Sequence, residues 1–309
     1  MPKTVLHGWV LAPAGELPEL SRIRQGALAH GVAIDVVPPK SVDLFLDPSR
    51  PEVIWVGGEA RPRPQFAIAG FVDESDYYNF ALMRQLDTQG VVCVNPMEAM
   101  LNSSDKLRTL QLLATGGIPI PRTLLWRPGL TAATVEARLG LPVVMKLLRG
   151  SRGQGVFLVG SRTELANHLD LVHYGQVQDD VLFQEFVPAT KGRDLRVMVI
   201  DGQARACMQR RSGSADGFKA NISQGGSAEA YPMTDEIRRL AVDSARILGL
   251  VVGGIDLLFT ETGFVVCEAN SIPGFKGLES ACDVDVPAEV LRCIARLVAA
   301  RAGEKVMRS

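Results

Sequence analysis

Residues 254–270 read GIDLLFTETGFVVCEAN, two apolar runs that flank a short polar turn. This alternation of apolar runs and turn residues predicts a β-hairpin. If Thr260 and Phe264 close a three-residue loop, the pairing places Asp256 directly opposite Glu268. The hairpin therefore brings two carboxylates together.

Paired carboxylates of this kind indicate a metal site. Two such charges about 5 Å apart repel by about 3 kcal/mol at an effective dielectric constant near 20. A divalent cation turns that repulsion into attraction, and Asn270, on the same face as Glu268, adds an amide oxygen. Oxygen ligands suit Mg²⁺ or Mn²⁺. The alternatives are a solvent-facing charged rung, or a register slipped by one residue that separates the acids.

A glycine-rich segment follows a second apolar strand. Residues 143–159 read VVMKLLRGSRGQGVFLV, which places Lys146 just before a loop containing Gly153 and Gly155. Glycines at alternate positions let backbone N–H groups approach an anion, and the lysine adds a positive charge. The segment is not a Walker loop, and an ordinary hairpin turn remains the alternative.

Arginines lie between these two segments. Arg210 and Arg211 directly follow the apolar strand Ala204–Met208, so one of them must point with the core-facing side chains. An arginine in that position would stabilise negative charge on a phosphoryl group during its transfer. A run of basic residues on a solvated surface is the alternative.

Composition and charge narrow the class of protein. Of 309 residues, 47% are apolar and 22% charged, as in globular proteins, and the net charge is −1. This charge argues against general binding to nucleic acid or to an anionic membrane, and no apolar run is long enough to span a bilayer. The five cysteines lack metal-binding spacing and predict reduced core thiols in a cytoplasmic protein.

The first hundred residues alternate short apolar runs with helical patterns. This predicts an α/β domain with a mainly parallel sheet. The sequence pattern changes near residue 102. Ser103-Ser104-Asp105 predicts the cap of a helix that runs over Lys106–Thr115 and ends at Gly116-Gly117. A new unit is therefore expected to begin there.

Taken together, the motifs resemble the ATP-grasp superfamily, and more narrowly the RimK-like α-L-glutamate ligases. The resemblance covers residues 100–300 and rests on eight segments in the same order. They are Asp105-Lys106-Leu107-Arg108, Lys146 with its glycine hairpin, Gln184-Glu185-Phe186-Val187, Gly192-Arg193-Asp194-Leu195-Arg196, Lys219-Ala220-Asn221, Gly225-Gly226, Gly254-Ile255-Asp256 and Glu268-Ala269-Asn270-Ser271-Ile272-Pro273-Gly274-Phe275.

The resemblance implies an α/β chain with an α+β ATP-grasp fold in three parts. Residues 1–100 would form a Rossmann-like N-terminal domain. Residues 101–187 would form the central ATP-grasp subdomain with the glycine hairpin as a lid. Residues 188–309 would form the C-terminal subdomain with the metal site.

The same resemblance implies roles for individual residues. Adenine would meet Glu185 and Phe186, and Asp194 would lie near the ribose. The phosphates would contact Lys106, Lys146 and the hairpin glycines Gly153 and Gly155, with Lys219 and Asn221 beside the nucleotide. Two Mg²⁺ or Mn²⁺ ions would be held by Asp256, Glu268 and Asn270. Arg210 and Lys146 would act on the transferred phosphoryl group.

The activity implied is that of an ATP-dependent carboxylate–amine ligase. A carboxylate would take the γ-phosphoryl group of ATP, and an amine would displace phosphate to form an amide. The expected substrates are glutamate and an acidic acceptor, which is a small molecule, a cofactor or a protein C-terminus. A homodimer or homotetramer is expected by analogy. The alternatives are a non-catalytic ATP-binding module and a ligase for another amino acid. Asp256→Asn or Glu268→Gln would remove turnover and leave the protein folded.

Overall fold

The computed structural model describes residues 5–12, 18–50, 53–69, 77–148, 155–175, 180–213 and 225–308. Three main sheets follow one another along this part of the chain. No helix within it is both long enough and apolar enough to cross a membrane.

The N-terminal sheet is parallel, as predicted. Its strands are β1 (Leu6–Leu11), β2 (Val32–Val37), β6 (Phe66–Ile68) and β7 (Val92–Val94), in the order β2-β1-β6-β7. Helices α1 (Pro18–Ala29) and α2 (Tyr77–Thr88) connect them, and β3 (Val42–Asp43), β4 (Val53–Val56) and β5 (Glu59–Pro62) form a small antiparallel sheet. The run from Trp9 to Leu11 is buried throughout, as expected for a strand covered on both faces.

The described residues between 123 and 185, which we call the middle unit, form an antiparallel sheet covered by two helices. The elements are β8 (Thr123–Leu125), α5 (Ala132–Leu139), β9 (Val143–Leu147), β10 (Val156–Val159), α6 (Arg162–His173) and β11 (Val181–Glu185), with the strand order β10-β9-β11-β8. The unit has a core of its own, in which Val135, Leu165 and Phe183 are fully buried.

A five-stranded antiparallel sheet follows. The elements are β12 (Arg193–Ile200), β13 (Gln203–Arg211), β14 (Ser227–Ala230), α7 (Asp235–Leu248), β15 (Val252–Phe259), β16 (Phe264–Asn270), α8 (Lys276–Ala281) and α9 (Val286–Arg308). Its strand order is β14-β13-β12-β15-β16. Short 3₁₀ turns occur at Pro39–Ser41 and Pro188–Thr190.

Two helices precede the middle unit in sequence, α3 (Met97–Ser104) and α4 (Lys106–Thr115). The predicted start of α4 is confirmed, because the Asp105 carboxylate accepts hydrogen bonds from the backbone N–H groups of Leu107 and Arg108. Leu113 of α4 packs with α7 against one face of the five-stranded sheet. The opposite face shares a core with the N-terminal sheet and α9. The domain boundaries drawn from the sequence remain predictions.

The hairpin of β15 and β16 exists, but the predicted loop is wrong. Phe259 pairs with Phe264, so four residues separate the strands instead of the three implied by closure at Thr260. By itself, this one-residue difference would shift every pair along the hairpin and place Asp256 out of line with Glu268.

A β-bulge restores the register. The pairing shifts between Asp256 and Leu257, because β16 carries one extra residue, Cys267. Asp256 consequently lies opposite Glu268, as predicted, and Gly254 lies opposite Asn270. The slipped register is therefore excluded.

Asn95, just after β7, joins the N-terminal sheet to this hairpin. Its amide nitrogen donates to the carbonyl oxygens of Val252 and Ser271, both at 2.7 Å. Its amide oxygen accepts from the backbone N–H groups of Val251 and Val252 at 2.7 and 2.8 Å. The buried side chain thus fixes the start of β15 against the residue that follows Asn270.

Candidate active site

Asp256 lies at the centre of a charged cluster on one face of the five-stranded sheet. Arg196 of β12 pairs with it in the strand register and grips its carboxylate as a fork, with Nε to Oδ1 at 2.7 Å and Nη2 to Oδ2 at 2.8 Å. Arg210 of β13 donates from Nη2 to Oδ2 at 2.9 Å. Asp256 is only 5% exposed, so it is not a solvent-facing charged rung.

Arg210 forms a second fork, with Asp194. The two residues are opposite each other on β12 and β13, and the Nε and Nη2 atoms of Arg210 donate to the two oxygens of Asp194 at 2.7 Å each. Arg210 is buried whereas Arg211 is exposed, so Arg210 is the one that points inward. Asp194, expected beside a ribose, is engaged through both oxygens by this arginine.

Burial and charge compete within the cluster. Burial alone would raise the pKa of Asp256, but the Arg196 and Arg210 guanidinium groups outweigh it and hold that pKa below its usual value. Burial raises the pKa of Asp194 above its usual value, although Arg210 opposes the shift. The pKa of Arg210 itself is raised, because the charges of both aspartates overcome its burial. The arginine therefore remains charged at any pH at which the protein is folded.

These arginines change what the pair of Asp256 and Glu268 implies about metal binding. The mutual repulsion of Asp256 and Glu268 predicts a cation between them, but Arg196 and Arg210 already compensate the charge of Asp256. Cation binding must therefore be judged on the remaining oxygen atoms of the site.

Those oxygen atoms suit a hard divalent cation. Glu268 is half-buried, and no residue of the described ranges donates a hydrogen bond to its side-chain carboxylate. Asn270 donates from Nδ2 to the carbonyl of Gly254 at 3.4 Å, which leaves its amide oxygen available. Across the described ranges no group of three or more His, Cys, Asp and Glu residues is placed to hold a metal. Two acids and one amide fit an ion completed by water or phosphate oxygens.

Lys146 reaches from the middle unit to this hairpin. Its ammonium donates to Oε1 of Gln184 on β11 at 2.7 Å and lies 3.4 Å from Sγ of Cys267 on β16. Burial raises the pKa of the Cys267 thiol despite the nearby ammonium charge. Lys146 is thus positioned where the two sheets face each other.

A second lysine lies beside the start of the glycine-rich segment. Lys106, the first residue of α4, donates from Nζ to the carbonyl of Leu148 at 2.8 Å. Gly155 has a φ of +69°, and a Cβ there would lie 2.7 Å from the side chain of Leu147. This position therefore requires glycine for both conformation and space.

Glu185 and Phe186 lie at the end of β11. The Glu185 carboxylate accepts from the backbone N–H and the Nε of Arg122 at 2.8 and 2.5 Å. Arg122 also donates to the carbonyl of Arg138 at 2.8 Å, near the end of α5. Phe186 is half-buried.

The other predicted residues, Gly153, Lys219 and Asn221, lie outside the described residues. The structure brings together Lys146, Asp194, Arg210, Asp256, Glu268 and Asn270. It adds Arg196, which the sequence identified only within the segment Gly192–Arg196 and without a role of its own. The missing information was the register of β12 against β15, which no local motif encodes.

Comparisons with known proteins show the family to which the chain belongs. The RimK-like ATP-grasp domain matches residues 103–294. A probable alpha-L-glutamate ligase from Vibrio atlanticus is 32% identical over 278 residues, covering 90% of this chain and 91% of the relative. A ribosomal protein bS6–L-glutamate ligase from Escherichia fergusonii is 31% identical over 290 residues, covering 93% and 95%.

Solved structures show the same fold. The ATP-grasp ligase PsnB complexed with minimal precursor superposes with a TM-score of 0.73 at 21% identity, over 94% of this chain and 97% of the other. D-alanine–D-alanine ligase from Bacillus anthracis gives 0.68 at 16% identity, over 97% and 99%. The predicted α+β ATP-grasp fold is confirmed, and the chain belongs to the RimK-like ATP-grasp family as an ATP-dependent ligase of the glutamate-ligase type.

Proposed function

We propose that this ligase joins L-glutamate through an amide bond to an acidic acceptor, by way of an acyl phosphate, and releases ADP and phosphate. The observation that carries the proposal is the cluster of Lys146, Arg210, Asp256 and Glu268, where the middle unit meets the hairpin. Basic groups for phosphates and oxygen ligands for a cation lie together there, as phosphoryl transfer requires.

The chain's own residues position the reactants. Lys106 and Lys146 hold phosphate oxygens, and Arg210 offsets the negative charge that develops on the transferred γ-phosphoryl group. Asp194 keeps Arg210 in place through their paired hydrogen bonds. Glu185 and Phe186 contact adenine, and Asp194 lies near the ribose.

Mg²⁺ or Mn²⁺, as two ions held by Asp256, Glu268 and Asn270, would neutralise the phosphates. The glycine-rich segment over 150–155, with Gly153 and Gly155, would serve as a lid that keeps water from the acyl phosphate. Lys219 and Asn221, outside the described residues, would bind beside the nucleotide.

The substrate proposal is supported by the relatives. Their names specify glutamate and, in one case, ribosomal protein bS6. For this chain the acceptor is an acidic small molecule, a cofactor or a protein C-terminus. We further propose a cytoplasmic homodimer or homotetramer that binds neither nucleic acid nor membranes, in keeping with a net charge of −1.

The test is ADP release from Mg-ATP with glutamate and a panel of acidic acceptors, with products identified by mass spectrometry. ADP formation that requires one glutamate–acceptor pair, with a product heavier by one glutamyl unit, supports the proposal. Glu268→Gln should abolish this turnover, whereas the exposed Glu261→Gln on the same hairpin should not.

Two results would redirect the assignment. Tight ATP binding without turnover for any pair would favour a non-catalytic ATP-binding module. Turnover that requires an amino acid other than glutamate would make the protein a ligase for that amino acid.

A further inference from the structure

The carboxylate of Asp256 is almost fully occupied by protein donors. Arg196 takes one lone pair on each oxygen, and Arg210 takes the second lone pair of Oδ2. A carboxylate offers about four such positions, so one remains, on Oδ1. A cation that binds both oxygens of Asp256 must displace an arginine.

The charges around Asp256 also oppose the binding of a cation. Arg196 and Arg210 balance Asp194 and Asp256, which leaves Glu268 as the uncompensated charge among these five residues. A divalent ion at Glu268 would lie on the same face of the sheet as these two guanidinium groups and would be repelled by them. Buried charges of this kind are weakly screened by salt.

We propose that Arg196 and Arg210 compete with the divalent cation for Asp256, so that the free protein excludes the ion until nucleotide phosphates arrive. The phosphates offer the guanidinium groups another anion, and Asp256 is released to the ion. This inference rests on the ATP-dependent activity proposed above. We use the word latch for the contacts of Arg196 and Arg210 with Asp256, which keep the ion out until phosphates bind.

The geometry suits a release of this kind. Arg210 touches Asp256 through Nη2 alone, while its fork with Asp194 uses both Nε and Nη2. Breaking the single contact therefore leaves Arg210 held by Asp194, facing the site. Within the described residues the side chain of Arg196 hydrogen-bonds only to Asp256, and it is 15% exposed.

The test measures Mn²⁺ binding by electron paramagnetic resonance on the full chain without nucleotide. Arg196→Gln and Arg210→Gln should each raise the Mn²⁺ affinity at least tenfold over the unsubstituted protein. Arg210→Lys keeps the positive charge and should retain weak binding. Arg211→Gln, on the same strand but exposed and paired with Glu229, is the matched control and should change nothing.

Arg196→Gln keeps the proposal testable if Arg210→Gln does not fold, because Asp256 then retains Arg210 as its partner. Adding Glu268→Gln to Arg196→Gln should remove the gain, which shows that the ion occupies this site. Adding the non-hydrolysable analogue AMPPNP to the unsubstituted protein should restore Mn²⁺ binding.

Three results would overturn the latch. The first is Mn²⁺ binding by the free, unsubstituted protein as tight as in Arg196→Gln. The second is a gain in Arg210→Lys equal to that in Arg210→Gln, and the third is no gain in any variant. None of them depends on turnover, so a failed ligase assay with an intact latch would implicate the substrate assignment alone.

Discussion

Replacing Asp256 by Asn should destabilise the whole protein, whereas replacing Glu268 by Gln should not. The two acids face each other and are both proposed to hold the metal, yet only Asp256 pairs with the half-buried Arg196 and the buried Arg210. The expectation from sequence, that both substitutions leave the fold intact, is therefore revised for Asp256.

The magnitude follows from the contacts. Asp256→Asn removes the charge that pairs with Arg196 and one of the two charges that surround Arg210. Breaking a buried ion pair from one side costs about 3–5 kcal/mol. At about 2.1 cal/mol/K per residue, unfolding of 309 residues carries about 0.65 kcal/mol/K, so Tm should fall by about 5–8 °C. Glu268→Gln removes no hydrogen bond to the described residues and should shift Tm by about 1 °C or less.

The assay is thermal unfolding at neutral pH without metal or nucleotide, followed by circular dichroism. Turnover with Mg-ATP is measured on the same samples, and both variants should lose it. The reasoning is refuted if Asp256→Asn melts within about 2 °C of the unsubstituted protein, or if Glu268→Gln melts as low as Asp256→Asn.

Three further outcomes are expected. Lys146→Met should lower turnover by about 100-fold or more, because a phosphate-facing charge is lost; the exposed Lys191→Met is the control, and equal losses would contradict the assignment. Asn95→Ala leaves two N–H groups and two carbonyls without their partner. The substitution should lower the free energy of unfolding in urea by about 4 kcal/mol or more. A loss near 1 kcal/mol would show that the Asn95 hydrogen bonds are dispensable. Burial raises the pKa values of Cys93 and Cys207 from 9.0 to about 12, so the folded protein holds those protons and its stability is lost as pH rises from 9 towards 12. Each thiol should lower the unfolding free energy by about 1.4 kcal/mol at pH 10, and Cys93→Ala should remove its share of the fall.

Local patterns predicted that Asp256 lies opposite Glu268, although the hairpin contains two irregularities that the sequence did not reveal and that offset each other. The loop holds one residue more than expected, and the bulge at Cys267 absorbs it. The periodicity of apolar residues identifies strands and their faces, but it carries no signal for an irregularity whose partner lies across the sheet. The pair of Asp256 and Glu268 was therefore predicted correctly from an incorrect loop.

The contact of Arg196 with Asp256 could not be predicted from the sequence. This contact depends on how the hairpin of β12 and β13 aligns with that of β15 and β16. Turn residues fix the register within each hairpin, whereas tertiary packing sets the register between them. Arg210 was within reach of the sequence, because the place of Arg210 and Arg211 after an apolar strand indicated that one of them points inward, and the family resemblance selected Arg210.

The separate core of the middle unit has a consequence for hydrogen exchange. Its buried side chains contact one another, while the N-terminal sheet and the five-stranded sheet share a core. The chain enters and leaves the unit only through residues 116–122 and 186–192. Amide protons of β9 and β11 are therefore expected to exchange through a sub-global opening of this unit, at a denaturant dependence lower than that of β12 and β15. The middle unit is then expected to move as one body relative to the five-stranded sheet, restrained by contacts such as those of Lys106 and Lys146 and not by the core that the two other sheets share.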